Sequence, residues 1–133
     1  MSIGLLLITH SRIGEALLET ASKMLEGSKL PMIRTLSVGV DCNPDQLSQE
    51  ARVLLNRLDE GQGVLVFTDI YGSTPSNIAY GLAENGRVNV ISGVNLPMLI
   101  RTLNYSALDL QAMTEKAVSG GREGIHCCER VIK

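Results

Sequence analysis

Aromatic residues are few in this sequence. Among its 133 residues there are three tyrosines, one phenylalanine and no tryptophan. Proteins that hold single-stranded nucleic acid stack bases on aromatic rings, so this composition argues against such a platform. The 14 acidic and 12 basic residues give a formal net charge of -2, whereas a general nucleic-acid binder needs a basic surface to displace counterions. We therefore expect no nucleic-acid partner.

Cysteines and long apolar runs are also scarce. Cys42, Cys127 and Cys128 are an odd number with one adjacent pair, which makes a poor disulfide framework and favours a reducing cytoplasm. The longest apolar run, Ile3 to Ile8, is far shorter than the roughly 20 residues of a membrane span and lacks the flanks of a signal peptide. A chain of this length can bury a core without disulfide or metal. We expect a single domain over residues 1–133, with no cofactor.

Two hydrophobic periodicities alternate along the chain. Continuous or mixed apolar runs predict four strands, at 3–9, 33–40, 63–67 and 88–91. Apolar residues at helical spacing predict helices at 13–25, 47–58, 78–83 and 97–103. Ser106-Ala-Leu-Asp109 predicts a capping box before one more helix, which should end near Val118. The segment after Gly120 fits either a strand or a short helix.

This alternation predicts an α/β fold with a doubly wound, mainly parallel sheet and helices on both faces. We expect the strand order 2-1-3-4, and the tail can supply an extra C-terminal edge strand. Ligands of such sheets bind beyond the carboxyl ends of the strands, where the strand order reverses. The residues that follow the first and third strands are therefore the first candidates for a functional site.

Polar residues stand at both of those positions. Thr9-His10-Ser11 follows the first strand, and Asp69 follows the third. A plain loop or capping role also fits His10. In the functional interpretation, Ser11 caps the next helix, whose positive end keeps the imidazole neutral and attracts an anion. Asp69 can accept a hydrogen bond from one ring nitrogen, which leaves the other free to act as a nucleophile. His10 and Asp69 are therefore the candidate catalytic pair.

The run Gly72-Ser73-Thr74-Pro75 supplies the next candidates. Thr74-Pro75 predicts a helix start, with a hydroxyl at the cap and a proline in the first turn. Gly72, Ser73 and Thr74 can then offer amides and hydroxyls to the oxygens of a phosphoryl group, and Ser11 can contribute as well. A turn glycine and a good cap explain the same residues without a ligand.

Four segments of the chain stand in the order typical of one family. They are Thr9-His10, Asp69-x-Tyr71-Gly72-x-Thr74-Pro75-x-Asn77, Gly93-Val94-Asn95-Leu96-Pro97-Met98-Leu99 and Gly121-Arg122-Glu123-Gly124. With them the chain resembles the IIA domain of the mannose family of the bacterial sugar phosphotransferase system. The resemblance covers nearly the whole chain, and the third segment is its most specific part.

The resemblance implies a phosphotransferase component with a phosphohistidine intermediate. His10 would receive a phosphoryl group from the carrier protein HPr and pass it to a IIB component. Asp69 would orient His10, and the hydroxyl of Thr74 would lie beside the phosphoryl group. Thr74 replaces the usual serine, and Ser11 and Ser73 replace frequent glycines, so these positions concern the fine geometry of the site.

The resemblance also implies partners and a location. A cytoplasmic homodimer with an exchanged C-terminal segment is expected, in peripheral association with a membrane IIC/IID complex. Two alternatives stay open. One is a stand-alone regulatory phosphoprotein that reports the state of the phosphotransferase system without transport. The other is the related phosphocarrier of dihydroxyacetone kinase, although the segments 71–75 and 93–99 favour the mannose type.

Three further features fit structural roles better than functional ones. Asn95 borders the site in the resembling family, but a helix start at Pro97 explains most of its segment. Arg12 is close to His10 in sequence and can meet a phosphate, yet a solvated helix residue is the simpler interpretation. The cluster 126–128, His-Cys-Cys, lacks the separated spacing of a zinc site, so we expect no metal there and partly buried thiols instead.

Overall fold

A computed structural model describes residues 2–129 of the chain. Strands and helices alternate along it. The strands are β1 (Gly4–His10), β2 (Ile33–Val38), β3 (Val64–Thr68) and β4 (Val88–Ile91). The helices are α1 (Ile13–Met24), α2 (Pro44–Leu58), α3 (Thr74–Tyr80), α4 (Leu96–Asn104) and α5 (Leu110–Glu123). The predicted α/β class is therefore confirmed.

The four strands form one parallel sheet in the order β2-β1-β3-β4, as predicted. The register pairs His10 with Val38 and Ile8 with Thr68. Since β1 and β3 are neighbours and the strand order reverses around them, their carboxyl ends lie side by side at one edge. This edge is where the fold positions a site.

Helices cover both faces of the sheet because alternate strand residues point to opposite sides. Leu5 and Leu7 pack with α1, α4 and α5 in one core cluster. Leu6 and Ile8 pack with α2 and α3 in a second cluster on the other face. These leucines and Ile8 are fully buried, which explains why β1 reads as a continuous apolar run rather than an alternating one.

Two predicted helix starts are wrong in detail. Ser11 does not cap α1, because the N-cap position is Arg12 and its side chain makes no capping hydrogen bond. Ser106 does not begin a capping box. Asp109 alone caps α5, with its Oδ1 accepting the amide of Ala112 at 2.9 Å.

Helix and strand ends also differ from the predicted ones. α3 ends at Tyr80, three residues before the predicted end, and α5 continues beyond Val118 to Glu123. In α5 the glycines that predicted an end serve close packing instead. A Cβ on Gly120 would lie 2.7 Å from the Cβ of Arg101, which is too close for any other residue there.

The tail after α5 has no regular structure over residues 125–129. Within residues 2–129 the sheet has four strands, and any strand over 130–133 would lie outside the described residues. Cys127 and Cys128 are exposed, so the expectation of partly buried thiols is wrong for this pair. The reason is that α5 ends at Glu123, and residues 125–129 form no helix or strand that would bury them.

Candidate active site

The carboxyl ends of β1 and β3 bring His10 and Asp69 into contact. Nδ1 of the His10 ring lies 2.9 Å from Oδ2 of Asp69. The backbone amide of His10 donates to the same oxygen, also at 2.9 Å. The two residues are 59 apart in sequence, so only the pairing of β1 with β3 places them together. This is the juxtaposition that the strand-end argument predicted.

The Asp69 carboxylate is charged at neutral pH. Burial raises the pKa of Asp69, but hydrogen bonds from the backbone and ring of His10 and from the Ile70 amide outweigh burial and hold that pKa below its ordinary value. The Ile70 amide donates to Oδ1 at 2.9 Å. Because a carboxylate can only accept, Nδ1 of His10 must carry the proton in this contact.

In the neutral form of the His10 ring, the lone pair is consequently on Nε2. Within residues 2–129, Nε2 makes no hydrogen bond with the protein. The His10 side chain is 42% exposed, whereas that of Asp69 is 9% exposed. The buried partner fixes the tautomer, and the lone pair of Nε2 is open to solvent, which is the arrangement a nucleophilic imidazole requires.

Backbone hydrogen bonds fix the turn between β1 and α1 that follows His10. Ser11 adopts a φ of 47° and donates its amide to the carbonyl of Val38 at 3.1 Å. This left-handed conformation is one that glycine adopts at lower cost, which gives a physical reason for the glycine frequent at this position in the resembling family. The buried hydroxyl of Thr9 accepts the amide of Gly14 at 2.8 Å and so ties the first turn of α1 to the strand.

Three of the four predicted phosphoryl-binding residues, Gly72, Ser73 and Thr74, lie in the loop after Asp69 and at the start of α3, whereas Ser11 lies in the β1–α1 turn. The loop after Asp69 forms hydrogen bonds within itself. The Gly72 amide donates to the hydroxyl of Ser76 at 3.2 Å. The Ser73 hydroxyl donates to the carbonyl of Ile70 at 2.6 Å. Gly72 has a φ of 87°, which the tight reversal of the chain requires. These bonds give the loop a fixed shape.

Thr74 differs from its two predecessors. It is the first residue of α3, and the N-cap position belongs to Ser73, one residue earlier than predicted. Thr74 is exposed, and its hydroxyl makes no hydrogen bond with the protein in the part of the chain that the structure describes. It therefore remains available to a ligand at the start of α3.

Asn95 has a structural role that accounts for both ends of its amide. Its Oδ1 accepts the amide of Met98 at 2.9 Å and so caps α4. Its Nδ2 donates to the carbonyl of Gly121 in α5 at 3.1 Å. A Cβ on Gly121 would lie 2.6 Å from Cε of Met98, so this glycine permits the close approach. Two motifs of the resembling family thus meet in one helix contact.

Sequence reasoning missed the support that the β4–α4 loop gives to Asp69. The Gly93 amide donates to the carbonyl of Asp69 at 2.9 Å, and the Val94 amide donates to the carbonyl of Thr68 at 3.1 Å. Gly93 has a φ of 82°. The glycine that opens the most specific motif was the available signal for a turn at this point.

Arg12 is exposed and takes part in a surface ion pair. Its guanidinium lies 3.1 Å from Oε2 of Glu15, whose other oxygen accepts the Ser37 hydroxyl at 2.8 Å. Exposed pairs of this kind contribute little to stability, about 0–1 kcal/mol. The geometry agrees with a solvated helix residue.

Residues 2–129 contain neither a candidate metal cluster nor a helix that could span a membrane. In that range, no three side chains among His, Cys, Asp and Glu are grouped so that they could hold a metal ion. None of the helices described there is long and apolar enough to cross a bilayer.

Sequence comparison gives a family for this geometry. The sequence model of the EIIA-man family, described as "PTS system fructose IIA component", matches residues 4–118. The mannose-specific EIIAB component of the phosphotransferase system of Escherichia coli (strain K12) is 31% identical over 128 residues, which cover 94% of this chain and 39% of that protein. The chain thus spans about two-fifths of the length of this curated relative.

Structure comparison finds the same fold in two differently described proteins. The mannose/sorbose-specific IIA subunit from Enterococcus faecalis superposes with a TM-score of 0.85 at 19% identity, covering 100% of this chain and 99% of that one. A sigma-54 interaction domain protein from Enterococcus faecalis superposes with a TM-score of 0.75 at 13% identity, covering 92% of each chain. At these identities the likeness concerns the fold alone.

Proposed function

The chain belongs to the mannose-type IIA (EIIA-man) family of the phosphotransferase system, and from this premise we propose that it carries a phosphoryl group on Nε2 of His10. The observation that supports the proposal most directly is the 2.9 Å contact between Nδ1 of His10 and Oδ2 of Asp69. That contact leaves Nε2 as the exposed, basic nitrogen. The family assigns the protein to phosphotransfer, and the contact indicates the atom that receives the group.

The transfer step follows from the tautomer. The lone pair of Nε2 attacks phosphorus in a donor phosphohistidine, a new P–N bond forms, and the donor's P–N bond breaks with its electron pair returning to the donor imidazole. The His10 ring then carries a phosphoryl group on Nε2 and a proton on Nδ1, and is positively charged. The Asp69 carboxylate stabilises that charge through the existing hydrogen bond. Transfer onward reverses these roles.

The loop after Asp69 is the proposed binding site for the phosphoryl oxygens. Thr74 offers a free hydroxyl there, at the start of α3. Gly72 and Ser73 shape this loop through their own hydrogen bonds, whereas Ser11 lies in the β1–α1 turn after His10. The direct contact that we expect to matter most is therefore the Thr74 hydroxyl.

Partners follow from the chemistry and the family. We propose HPr as the donor and a mannose-type IIB component as the acceptor, in the cytoplasm, beside a membrane IIC/IID complex. Within residues 2–129, β3 is the only strand that pairs with β4, and the outer edge of β4 is open beyond Val88, which forms a bridge with Glu84. A cleft of about 400 Å³ lies beside it, lined in part by Val90, Met98 and Ile125. An open edge of this kind favours a homodimer in which a tail segment covers it.

Labelling tests the proposal. Phosphoenolpyruvate, enzyme I and HPr together should place one phosphoryl group on the protein, in a bond that is acid-labile and stable to alkali, as a phosphoramidate is. His10→Ala should abolish the label and keep the fold, because the ring is on the surface. His126→Ala is the matched control and should keep full labelling. Label on folded His10→Ala protein would contradict the proposal.

A second measurement separates transport from regulation. The labelled protein should pass its phosphoryl group to a purified mannose-type IIB protein. Failure of this step with normal labelling by HPr would favour the regulatory alternative, in which the phosphorylation state itself is the output. Light scattering of the full chain and of a chain ending at residue 124 tests the homodimer, which should be lost in the shorter form.

A further inference from the structure

Large apolar side chains are exposed at the edge of the sheet that carries His10. Val40 follows β2, and Ile70 and Tyr71 follow β3, each within three residues of the end of its strand. Their exposed fractions are 100% for Val40, 63% for Ile70 and 75% for Tyr71. A group of exposed apolar residues beside a reactive side chain is typical of a surface that a partner covers.

Tyr71 is exposed and yet held in place. Its ring packs edge-on against the ring of Tyr80, with centroids 5.6 Å apart and an interplanar angle of 89°. The Tyr80 hydroxyl lies 3.3 Å from the hydroxyl of Ser92, which fixes the second ring in turn. The backbone on both sides of Tyr71 belongs to the self-bonded loop described above. A preordered tyrosine loses little entropy when a partner binds, which is why tyrosine is frequent among anchor residues of interfaces.

The charges nearby favour apolar contact over ionic contact. Arg12 is paired with Glu15, and Asp69 is paired with His10. The Arg12–Glu15 pair is neutral overall, and the single negative charge of Asp69 beside the neutral His10 ring is largely buried, since the Asp69 side chain is 9% exposed. We call the exposed apolar surface of Val40, Ile70 and Tyr71 the apolar rim. Recognition at this rim therefore depends on aromatic and aliphatic contacts.

We propose that Tyr71, supported by Tyr80, is the anchor on which the phosphorylated donor protein docks. The inference rests on the proposed function, because it concerns the protein that delivers the phosphoryl group to His10. Such a donor must bring its own phosphohistidine to Nε2 and so covers the residues that follow β1 and β3. A small phosphoryl donor reaches Nε2 without touching this rim, and the difference between the two donors isolates the docking contact.

The experiment compares two donors on the same variants. Tyr71→Ala should lower kcat/KM with phosphorylated HPr by at least about tenfold, mainly through KM, as removal of an anchor residue does. The same variant should be labelled on His10 by phosphoramidate at the wild-type rate. Tyr71→Phe keeps the ring and should restore most of the transfer from HPr.

Tyr105→Ala is the matched control. Tyr105 is also an exposed tyrosine, but it follows α4 and its ring contacts Lys116, with Nζ 4.6 Å from the centroid. Both donors should label this variant normally. An equal loss with both donors in Tyr71→Ala, or no loss with either, would overturn the docking role. Wild-type protein labelled by neither donor would instead show that the proposed function has failed, and the docking role with it.

Discussion

The sheet has one edge formed by the amino ends of its strands and another formed by their carboxyl ends. Each of these two edges holds a carboxylate, and the two carboxylates have different partners. At the amino edge, Oδ1 of Asp59 accepts the amides of Gly61 and Gly63, and Oδ2 accepts Nε of Arg87 at 2.7 Å. At the carboxyl edge, Asp69 accepts two amides and the ring of His10. Both carboxylates therefore combine backbone amides with one nitrogen-bearing side chain.

The partners decide what each arrangement can do. Arg87 also donates to Glu84 and Asn56, so each of its three side-chain nitrogens has a protein partner at the amino edge. The Gly61 amide and the Arg87 guanidinium hold the pKa of Asp59 below its ordinary value, as the corresponding bonds do for Asp69. His10, in contrast, keeps one ring nitrogen free. A carboxylate with backbone amides thus stabilises a loop at one edge, whereas at the other it orients an imidazole whose second nitrogen is free, as our proposal requires.

Asp69→Asn should have the largest effect on transfer. An amide cannot stabilise the cationic phosphorylated ring as a carboxylate does, so the rate of transfer from HPr should fall by roughly 10²-fold or more. Stability should fall as well, because the amides of His10 and Ile70 donate to different oxygens of Asp69 and asparagine has only one acceptor oxygen. Stopped-flow or quenched labelling at equal folded fraction measures the rate, and a change within about twofold would remove Asp69 from the mechanism.

Thr74 provides an intermediate effect. Thr74→Val keeps the shape of the side chain and removes the hydroxyl, so initial transfer should fall about tenfold or more, as happens when a donor to a charged transition state is lost. Thr74→Ser keeps the hydroxyl and should remain active. If both variants transferred equally well, Thr74 would have only a structural role at the start of α3.

Asp59→Asn should leave transfer unchanged and lower stability. Loss of the ion pair and weaker acceptance of two amides should cost about 1–3 kcal/mol of unfolding free energy. The pKa of Asp59 is lower in the folded state, so its contribution is fully present above the unfolded value of about 4 and disappears as pH falls through the folded value. Denaturant unfolding from pH 7 to 3 should show the two proteins converging at the acid end. A slower transfer rate in this variant would break the division between the two edges.

The sequence was sufficient for the sheet order and for the contact at its carboxyl edge. Continuous apolar runs marked buried strands, and parallel topology then placed His10 opposite Asp69. These inferences depend on hydrophobic burial, which extends over many residues and tolerates error in any one of them. The roles of the two residues in transfer stay predictions until labelling tests them.

Details that depend on single close approaches could not be read from the sequence. Gly120 and Gly121 predicted an end to α5, whereas they allow α4 to pack against a helix that continues. Thr9 rather than Ser11 supplies the hydroxyl for the first turn of α1. In each case the sequence offers a residue with the right chemistry, but its partner is fixed by tertiary contact.

The self-bonded loop after Asp69 has a consequence for the energetics of a relay. The Gly72 amide and the Ser73 hydroxyl already donate hydrogen bonds within the protein, so they should add little to the binding of a phosphoryl group. In a protein that only stored phosphate, every extra hydrogen-bond donor would stabilise the bound group. In a protein that passes the group on, each extra donor slows the next transfer, because stronger binding of the ground state raises the activation free energy. If His10 carries a phosphoryl group as we propose, few free donors should keep the phosphorylated state close in free energy to the states before and after it, so that the group can transfer in both directions.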